Sequence, residues 1–356
     1  VADMRVLHFE TLRPICPACR FAGRESPLAL APGARIVDGD VRAGILRCTA
    51  AECGQAYPVI AGAPVLMPDL AGWLASNLPL VLQGDLDTEE LENLVGAAVG
   101  PDAAFNVIRQ QQASYAYDHY GDLFAPDEAG SIRRGLAVAS ARLPATQGPV
   151  LDIGCAAGRT TLDMAASDAF PVLGIDVNWP LLKIGRGVID DGVVLFPHRR
   201  VGVRYERRRV AAEFAGRERA DFWIADALAL PFPAGVFGRV VAMNVLDCVA
   251  DPAALMREVE RALGPEGQLV VATPYDWASH ATPAAAWLVD GEAVAGVVDL
   301  ANRAGGKPES AWLRAVGREE LEWDVRLHDR ATVRYRSELM LFSRHWNERV
   351  RNESNT

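Results

Sequence analysis

The sequence holds no uninterrupted apolar run near the roughly 18 residues that a membrane-spanning helix needs, so no membrane partner is expected. The stretch from Val1 to Arg20 lacks the apolar core of a secretory leader, and a soluble, cytoplasmic protein is the expectation. Cysteine is scarce. Six in 356 residues are too few for a disulfide scaffold, and their clustering points to metal binding instead. Positive charge is not in excess either: 36 Lys and Arg face 46 Asp and Glu, a net charge of -10. That balance argues against broad, nonspecific nucleic-acid binding but leaves room for a local basic patch. No internal repeat or low-complexity tract is evident. Half the residues are hydrophobic and 23% are charged, which is ample for a packed core and unlike a disordered chain. The length favours two domains, one large and one small.

Three regions follow from the pattern: a small module over 1–70, a helical linker or cap over 71–148, and an α/β domain over 149–356. In the first, Val6, His8 and Glu10 alternate with Leu7 and Phe9, which predicts a short opening strand. Asp87-Thr-Glu-Glu90 reads as a capping box, with Asp87 as the cap and Leu91, Leu94 and Val95 as the apolar face behind it. Further helices are predicted over Ala103–Tyr120 and Ser131–Arg142. From Pro149 strands alternate with helices: Val150–Ile153, Thr160–Ser167, Val172–Ile175, Asp221–Ile224, Val240–Asn244, Pro252–Leu263 and Gln268–Thr273, with a terminal strand pair in Leu321–Trp346. This is the rhythm of a doubly wound α/β sheet, Rossmann-like and seven-stranded.

The most informative stretch is Val150-Leu-Asp-Ile-Gly-Cys-Ala-Ala-Gly-Arg-Thr161. A short apolar strand enters a loop of small residues and a helix opens at once, so a ligand can lie against backbone at the carboxyl ends of the strands. A dinucleotide site would show G-x-G-x-x-G. Here Gly154 and Gly158 flank Cys155 and Ala156, and Asp152 precedes them. An acid at that position repels a pyrophosphate but suits the cationic amino-acid end of S-adenosylmethionine. Roughly 20 residues on, Gly174-Ile-Asp176-Val177 ends the second strand, where a carboxylate can accept from both ribose hydroxyls. Ile224-Ala-Asp226-Ala227 ends the third, within reach of an adenine amino group.

Over about Pro149 to Thr273 the sequence resembles the class I S-adenosylmethionine-dependent methyltransferases. Their first motif, acid-x-G-x-G-x-G, is met by Asp152, Gly154 and Gly158, with Ala156 at the middle glycine. The resemblance implies Asp176 at the ribose, Asp226 near the adenine, and Asn244 at the tip of the fourth strand.

Asn244-Val-Leu-Asp-Cys-Val-Ala-Asp-Pro252 then faces the methyl donor, and Asp247 is its best placed polar residue. Thr273-Pro-Tyr-Asp-Trp277 and Trp287-Leu288 follow. Together with Tyr117-Asp-His-Tyr-Gly121 upstream, these motifs resemble the methyltransferases that modify a ring nitrogen of 4-mercaptohistidine, although Trp287-Leu-Val-Asp290 departs from the Trp-Leu-Gly-Gly expected there. That likeness implies a small histidine-like or other amino-acid-derived substrate. Asp247 or Tyr275 would orient the nucleophile, and Tyr117, His119, Tyr120 and Trp277 would complete the substrate pocket. Trp277 and Trp287 also suit plain packing, and Cys155 and Cys248 suit small buried positions.

Two features point elsewhere. Phe196 to Arg209 reads as a hairpin with one arginine-rich face, able to hold a carboxylate or phosphate, to touch RNA, or simply to be solvated. Cys16-x-x-Cys19 and Cys48-x4-Cys53, about 30 residues apart, supply four thiolates for a closed, structural Zn2+ shell. With Tyr57-Pro-Val-Ile-Ala-Gly-Ala-Pro-Val-Leu66 they resemble the zinc-ribbon activator subunit of tRNA and release-factor methyltransferases, which covers its partner by strand addition. An RNA or protein methyltransferase therefore stands as the alternative. The absence of Asn/Asp-Pro-Pro-Tyr after the fourth strand weighs against common nucleobase and glutamine methylation. A fold that has lost turnover is disfavoured by the intact acid and glycine set.

Overall fold

A computed structural model describes residues 4–82, 86–124, 130–288, 293–304 and 313–344. The N-terminal segment contains α1 (Val6–Leu12), α2 (Pro17–Phe21), β1 (Leu28–Leu30), β2 (Arg35–Val37), β3 (Asp40–Cys48), β4 (Ala56–Ile60) and β5 (Ala63–Leu66). Helices α3 (Leu70–Leu82), α4 (Glu89–Val99), α5 (Ala104–Tyr120) and α6 (Ser131–Arg142) follow. The alternating part runs β6 (Val150–Ile153), α7 (Arg159–Ser167), β7 (Val172–Asp176), α8 (Trp179–Asp191), β8 (Val193–Val201), β9 (Arg204–Ala211), β10 (Ala220–Ala225) and β11 (Phe237–Met243). It closes with α9 (Pro252–Ala262), β12 (Leu263–Thr273), α10 (Ala293–Ala304), β13 (Leu313–His328) and β14 (Ala331–Arg344).

Two local expectations are corrected. The predicted strand at Val6–Glu10 is helix α1, because the buried residues are His8 and Leu12, four apart on one helical face. Its first amides find carboxylates: Arg5 N donates to Asp221 at 3.0 Å and Val6 N to Asp40 at 3.0 Å. The cap of α4 is Thr88, not Asp87; its hydroxyl accepts from Leu91 N at 3.2 Å, one residue later than the capping-box reading. Trp346 and residues 289–290 of the Trp287-Leu-Val-Asp290 motif lie outside the described residues.

Strands β10, β7, β6, β11 and β12 are mutually parallel neighbours in that order; β14 lies antiparallel to β12 and β13 antiparallel to β14. Numbered in chain order among these seven strands, the order is third, second, first, fourth, fifth, seventh, sixth. Helices cover the sheet, so central strands such as Val150–Ile153 and Ala220–Ala225 are buried at every residue and read as continuous apolar runs. Strand order reverses between β6 and β11, and in doubly wound sheets ligands bind in the crevice outside the carboxyl ends of the strands at such a switch point. Helix starts on that side are well specified: Asn178 caps α8 ahead of Pro180, and Asp251 caps α9 ahead of Pro252.

The N-terminal strands extend this same sheet. β5 runs parallel to β10 through Val65–Ile224 and Leu66–Ala225, then β4, β3 and β1 continue outward, giving twelve strands with β2 paired to β3. Met4, Leu12, Leu46 and Val59 share one core with Leu151, Trp223 and Phe232. Ile15 N donates to Pro231 O at 2.9 Å, and His8 Nε2 lies 3.1 Å from Val172 O. Leu12 and Leu46 are fully buried in this shared core, each contributing about 1.5–3 kcal/mol to the fold.

The β8–β9 hairpin forms its own two-stranded sheet. Tyr205 anchors it, buried beneath the Arg109 guanidinium at 4.2 Å. Three of its arginines are paired within the molecule, while Arg204 and Arg209 are exposed. Arg207 reaches Glu92 at 2.5 Å, Arg200 reaches Asp329 at 2.8 Å and Arg208 reaches Glu206 at 3.2 Å. Among the described residues no helix is long and apolar enough to cross a membrane.

Candidate active site at the strand tips

The loop between β6 and α7 turns through three left-handed residues, Gly154 (φ 65°), Ala156 (φ 46°) and Gly158 (φ 87°). At the two glycines a side chain is also sterically excluded: a Cβ would lie 2.5 Å from Val245 at Gly154 and 2.5 Å from Phe222 at Gly158. Ala156 carries its methyl in this conformation at a cost of about 1–2 kcal/mol. Asp176 offsets part of that cost by accepting from Ala156 N at 2.9 Å.

Acids stand at the ends of three adjacent strands. Asp152, in β6, is buried and accepts from the Thr161 hydroxyl at 2.6 Å. Burial pushes its carboxyl up to about 7, with the Asp176 charge adding to the effect against the Thr161 hydrogen bond. Asp176, ending β7, spends one oxygen on Ala156 N and the other on Asn178 N at 2.8 Å; each oxygen keeps a second lone pair. Burial raises its pKa as well. Asp226 follows β10 and accepts from Leu228 N at 2.8 Å, with Ala227 half-buried beside it. Cys155 is buried under the loop, while Val177 is 47% exposed beyond Asp176.

Across the crevice Asn244 follows β11 in a left-handed conformation (φ 56°), and its Oδ1 accepts from the Ser337 hydroxyl at 2.9 Å. Asp247 is buried; its Oδ2 accepts from Asp276 N at 2.9 Å, and burial raises its pKa. Tyr275 is also left-handed (φ 56°), with its hydroxyl donating to Glu338 at 2.6 Å. Trp277 stacks on Trp287 with centroids 6.5 Å apart and planes 10° apart. Cys248, expected to be buried, is exposed: its side chain points out of the short helical turn that buries Leu246 and Asp247.

The upstream aromatic segment is placed differently from the expected pocket wall. Tyr120 is fully buried and donates to Ala157 O at 2.7 Å. His119 accepts from Arg159 N at 3.1 Å, and burial followed by the Arg159 charge holds it down to about 3, so it stays neutral. Arg159 is in turn gripped by Asp122 and Asp163 at 2.8 and 2.9 Å. These side chains brace the small-residue loop from below. Tyr117 instead meets Arg326 (2.5 Å) and the His198 ring, beside the β8–β9 hairpin.

Three aromatics to which the sequence assigns no role stand at the crevice. Tyr115 has 47% of its surface open, and desolvation followed by Cys248, Asp176 and Asp247 pushes its phenol up to about 12. It shares the outer face of α5 with Val107 and Gln111, and Gln111 reaches Asn178 at 3.5 Å. Helical period is the signal that separates Tyr115 from its buried neighbours Ala113, Ser114 and Ala116. Tyr335 interacts with Asp276 and stacks on Trp323 at 5.1 Å, both from the terminal hairpin. No motif marks these two.

The sulfurs of Cys16, Cys19, Cys48 and Cys53 all lie within 4.8 Å of one another. The Cys16–Cys53 sulfurs are 3.8 Å apart and the Cys19–Cys48 sulfurs 3.7 Å. Cys19 N points at Cys16 Sγ (3.5 Å), and the Tyr57 hydroxyl lies 3.3 Å from the same sulfur.

A doubly wound sheet with acids at the strand tips beside its topological switch is the arrangement of nucleotide-type ligand sites. Comparison with known proteins narrows it. A family model described as a methyltransferase domain matches residues 124–325, and the chain belongs to that family. No curated protein matches the chain. Among solved structures, a methyltransferase from Methanosarcina mazei is 16% identical (TM-score 0.41), covering 59% of this chain and 98% of its own. The Haloferax volcanii complex of the Trm112 methyltransferase activator with a putative methyltransferase is 15% identical (TM-score 0.41; 64% and 98% covered). Phosphoethanolamine N-methyltransferase 2 of Haemonchus contortus is 14% identical (TM-score 0.42; 67% and 61% covered).

Proposed function

We propose that this methyltransferase uses S-adenosylmethionine and methylates a nitrogen of a small histidine-like or other amino-acid-derived metabolite. The observation that carries the reading is the row of carboxylates at neighbouring strand tips, Asp152, Asp176 and Asp226, beside a loop of left-handed small residues. When bound, the donor supplies an electrophilic methyl on a sulfonium. Asp226 would accept from the adenine, Asp176 from the ribose through its spare lone pairs, and buried Asp152 would face the cationic end. Tyr115, Tyr335 and Trp323 wall the acceptor side and exclude water, leaving alignment as the main contribution of the protein. A neutral imidazole, with a pKa near 6.5, needs no strong base at pH 7. Asp247 therefore orients rather than deprotonates.

The cysteine cluster fits structural zinc. Bonds of about 2.3 Å in a tetrahedron require sulfurs about 3.8 Å apart, and the two short S···S distances of 3.7 and 3.8 Å match. Backbone and tyrosine donors around Cys16 are of the kind that orient metal-bound thiolates.

The test is a transfer assay with radiolabelled S-adenosylmethionine offered to imidazole, thiol and RNA acceptors. Label on an imidazole or related amino-acid acceptor is expected, and label confined to RNA would overturn the substrate reading.

A further inference from the structure

The Asn244 amide is the end of a hydrogen-bond relay that begins on the terminal hairpin. Trp323 Nε1 donates to Ser337 Oγ at 2.9 Å, and Ser337 Oγ donates to Asn244 Oδ1 at 2.9 Å. The direction is fixed by chemistry. An indole N–H can only donate, so Ser337 must accept there and has its own proton left to give. Ser337 is 1% exposed, so flipping the Asn244 amide would strand that proton without an acceptor in a buried place. Asn244 Oδ1 is thus spent on the hairpin, and its NH2 is the group left over. Among the described residues Nδ2 has no partner. The left-handed backbone at Asn244 holds this amide at the tip of β11, next to the β6 tip that carries Asp152.

We propose that Ser337 and Trp323 are positioning residues that lock Asn244 Nδ2 as a donor for the α-carboxylate of the bound methyl donor. The inference rests on the S-adenosylmethionine reading given above. With the adenine at β10 and the ribose at β7, a linear ligand continues over β6 to β11. Its amino-acid end then meets two side chains of opposite preference: Asp152, an acceptor suited to the ammonium, and Asn244 Nδ2, a donor suited to the carboxylate. An amide NH2 cannot accept, and an ionised carboxylate cannot donate. Trp323 also stacks on Tyr335 (5.1 Å, 26°), so the hairpin that walls the acceptor side also fixes the donor side.

Calorimetry with two ligands tests this: S-adenosylhomocysteine, and its decarboxylated analogue that lacks only the α-carboxylate. Asn244→Asp is isosteric, tolerates the left-handed backbone and keeps the Ser337 bond, but presents an oxygen where Nδ2 stood. It should weaken S-adenosylhomocysteine about ten- to a hundred-fold and leave the analogue unchanged or tighter. Ser337→Ala should show the same selective loss to a smaller degree, with Ser337→Thr restoring affinity. Wild-type protein that binds both ligands equally, or variants that weaken both alike or neither, would overturn the proposal. A wild-type chain that binds neither ligand would instead remove the S-adenosylmethionine reading, and this inference with it.

Discussion

Replacing Asp152 with asparagine should make the protein more stable and a poorer binder at once. In the folded chain burial lifts this carboxyl from 3.8 to about 7. Between those values the native state holds a proton that the unfolded chain has released, so stability falls as pH rises through the window. Above about pH 7 the full cost of an ionised, buried carboxylate persists, on the order of 4 kcal/mol at 1.36 kcal/mol per pH unit. An asparagine side chain would keep an oxygen for the Thr161 hydroxyl without that charge. Urea denaturation of the ligand-free protein near pH 8 should therefore show Asp152→Asn more stable by up to about 4 kcal/mol, with the difference vanishing near pH 4. Calorimetry should show the opposite trend for S-adenosylmethionine. Wild-type affinity should rise as pH climbs through about 7 and Asp152 ionises, while the variant should stay weak and nearly flat. A variant less stable than wild type near pH 8, or one with undiminished donor affinity, would refute the assignment of Asp152 as a destabilised charge kept for a cation.

Asp176→Ala should abolish donor binding in calorimetry, because it removes both the ribose acceptor and the hold on left-handed Ala156; unchanged affinity would contradict the ribose assignment. Asp247→Asn should leave donor affinity alone and lower turnover in the transfer assay, and full activity would remove Asp247 from the site. Elemental analysis should return about one zinc per chain, with chelation lowering the melting temperature; a folded, metal-free protein would exclude the structural metal. Tyr275→Phe and Glu338→Leu should alter turnover to a similar degree, since each removes the one bond of 2.6 Å between the two groups; a large effect of the tyrosine alone would point to a direct contact with substrate.

The parallel part of the fold was legible because its strands are buried on both faces and its helices begin at Asn178-x-Pro180 and Asp251-Pro252, signals that are local in sequence. The small-residue loop and the acids at 152, 176 and 226 were legible for the same reason. Helix α1 was not, since five alternating residues fit a strand until Leu12 supplies the helical spacing to His8. The contacts of Tyr117, His119 and Tyr120 were hidden because their partners Arg326, Arg159 and Ala157 lie far along the chain, and burial of His119 and Tyr120 under a loop leaves no periodic trace. Ser337, Trp323 and Tyr335 were invisible because a terminal hairpin is brought to the crevice by pairing with β12, a tertiary event with no motif of its own.

The parallel pairing of β5 with β10 sets what can be cut from this protein. Leu66 sits opposite Ala225, one residue before Asp226, so the tip that would cradle the adenine is flanked by the N-terminal segment. A truncated chain begun at α3 would leave β10 with a naked row of amides and carbonyls and uncover apolar side chains around Trp223. Such a fragment is not a smaller catalyst but an unfinished sheet, prone to recruit any strand that passes.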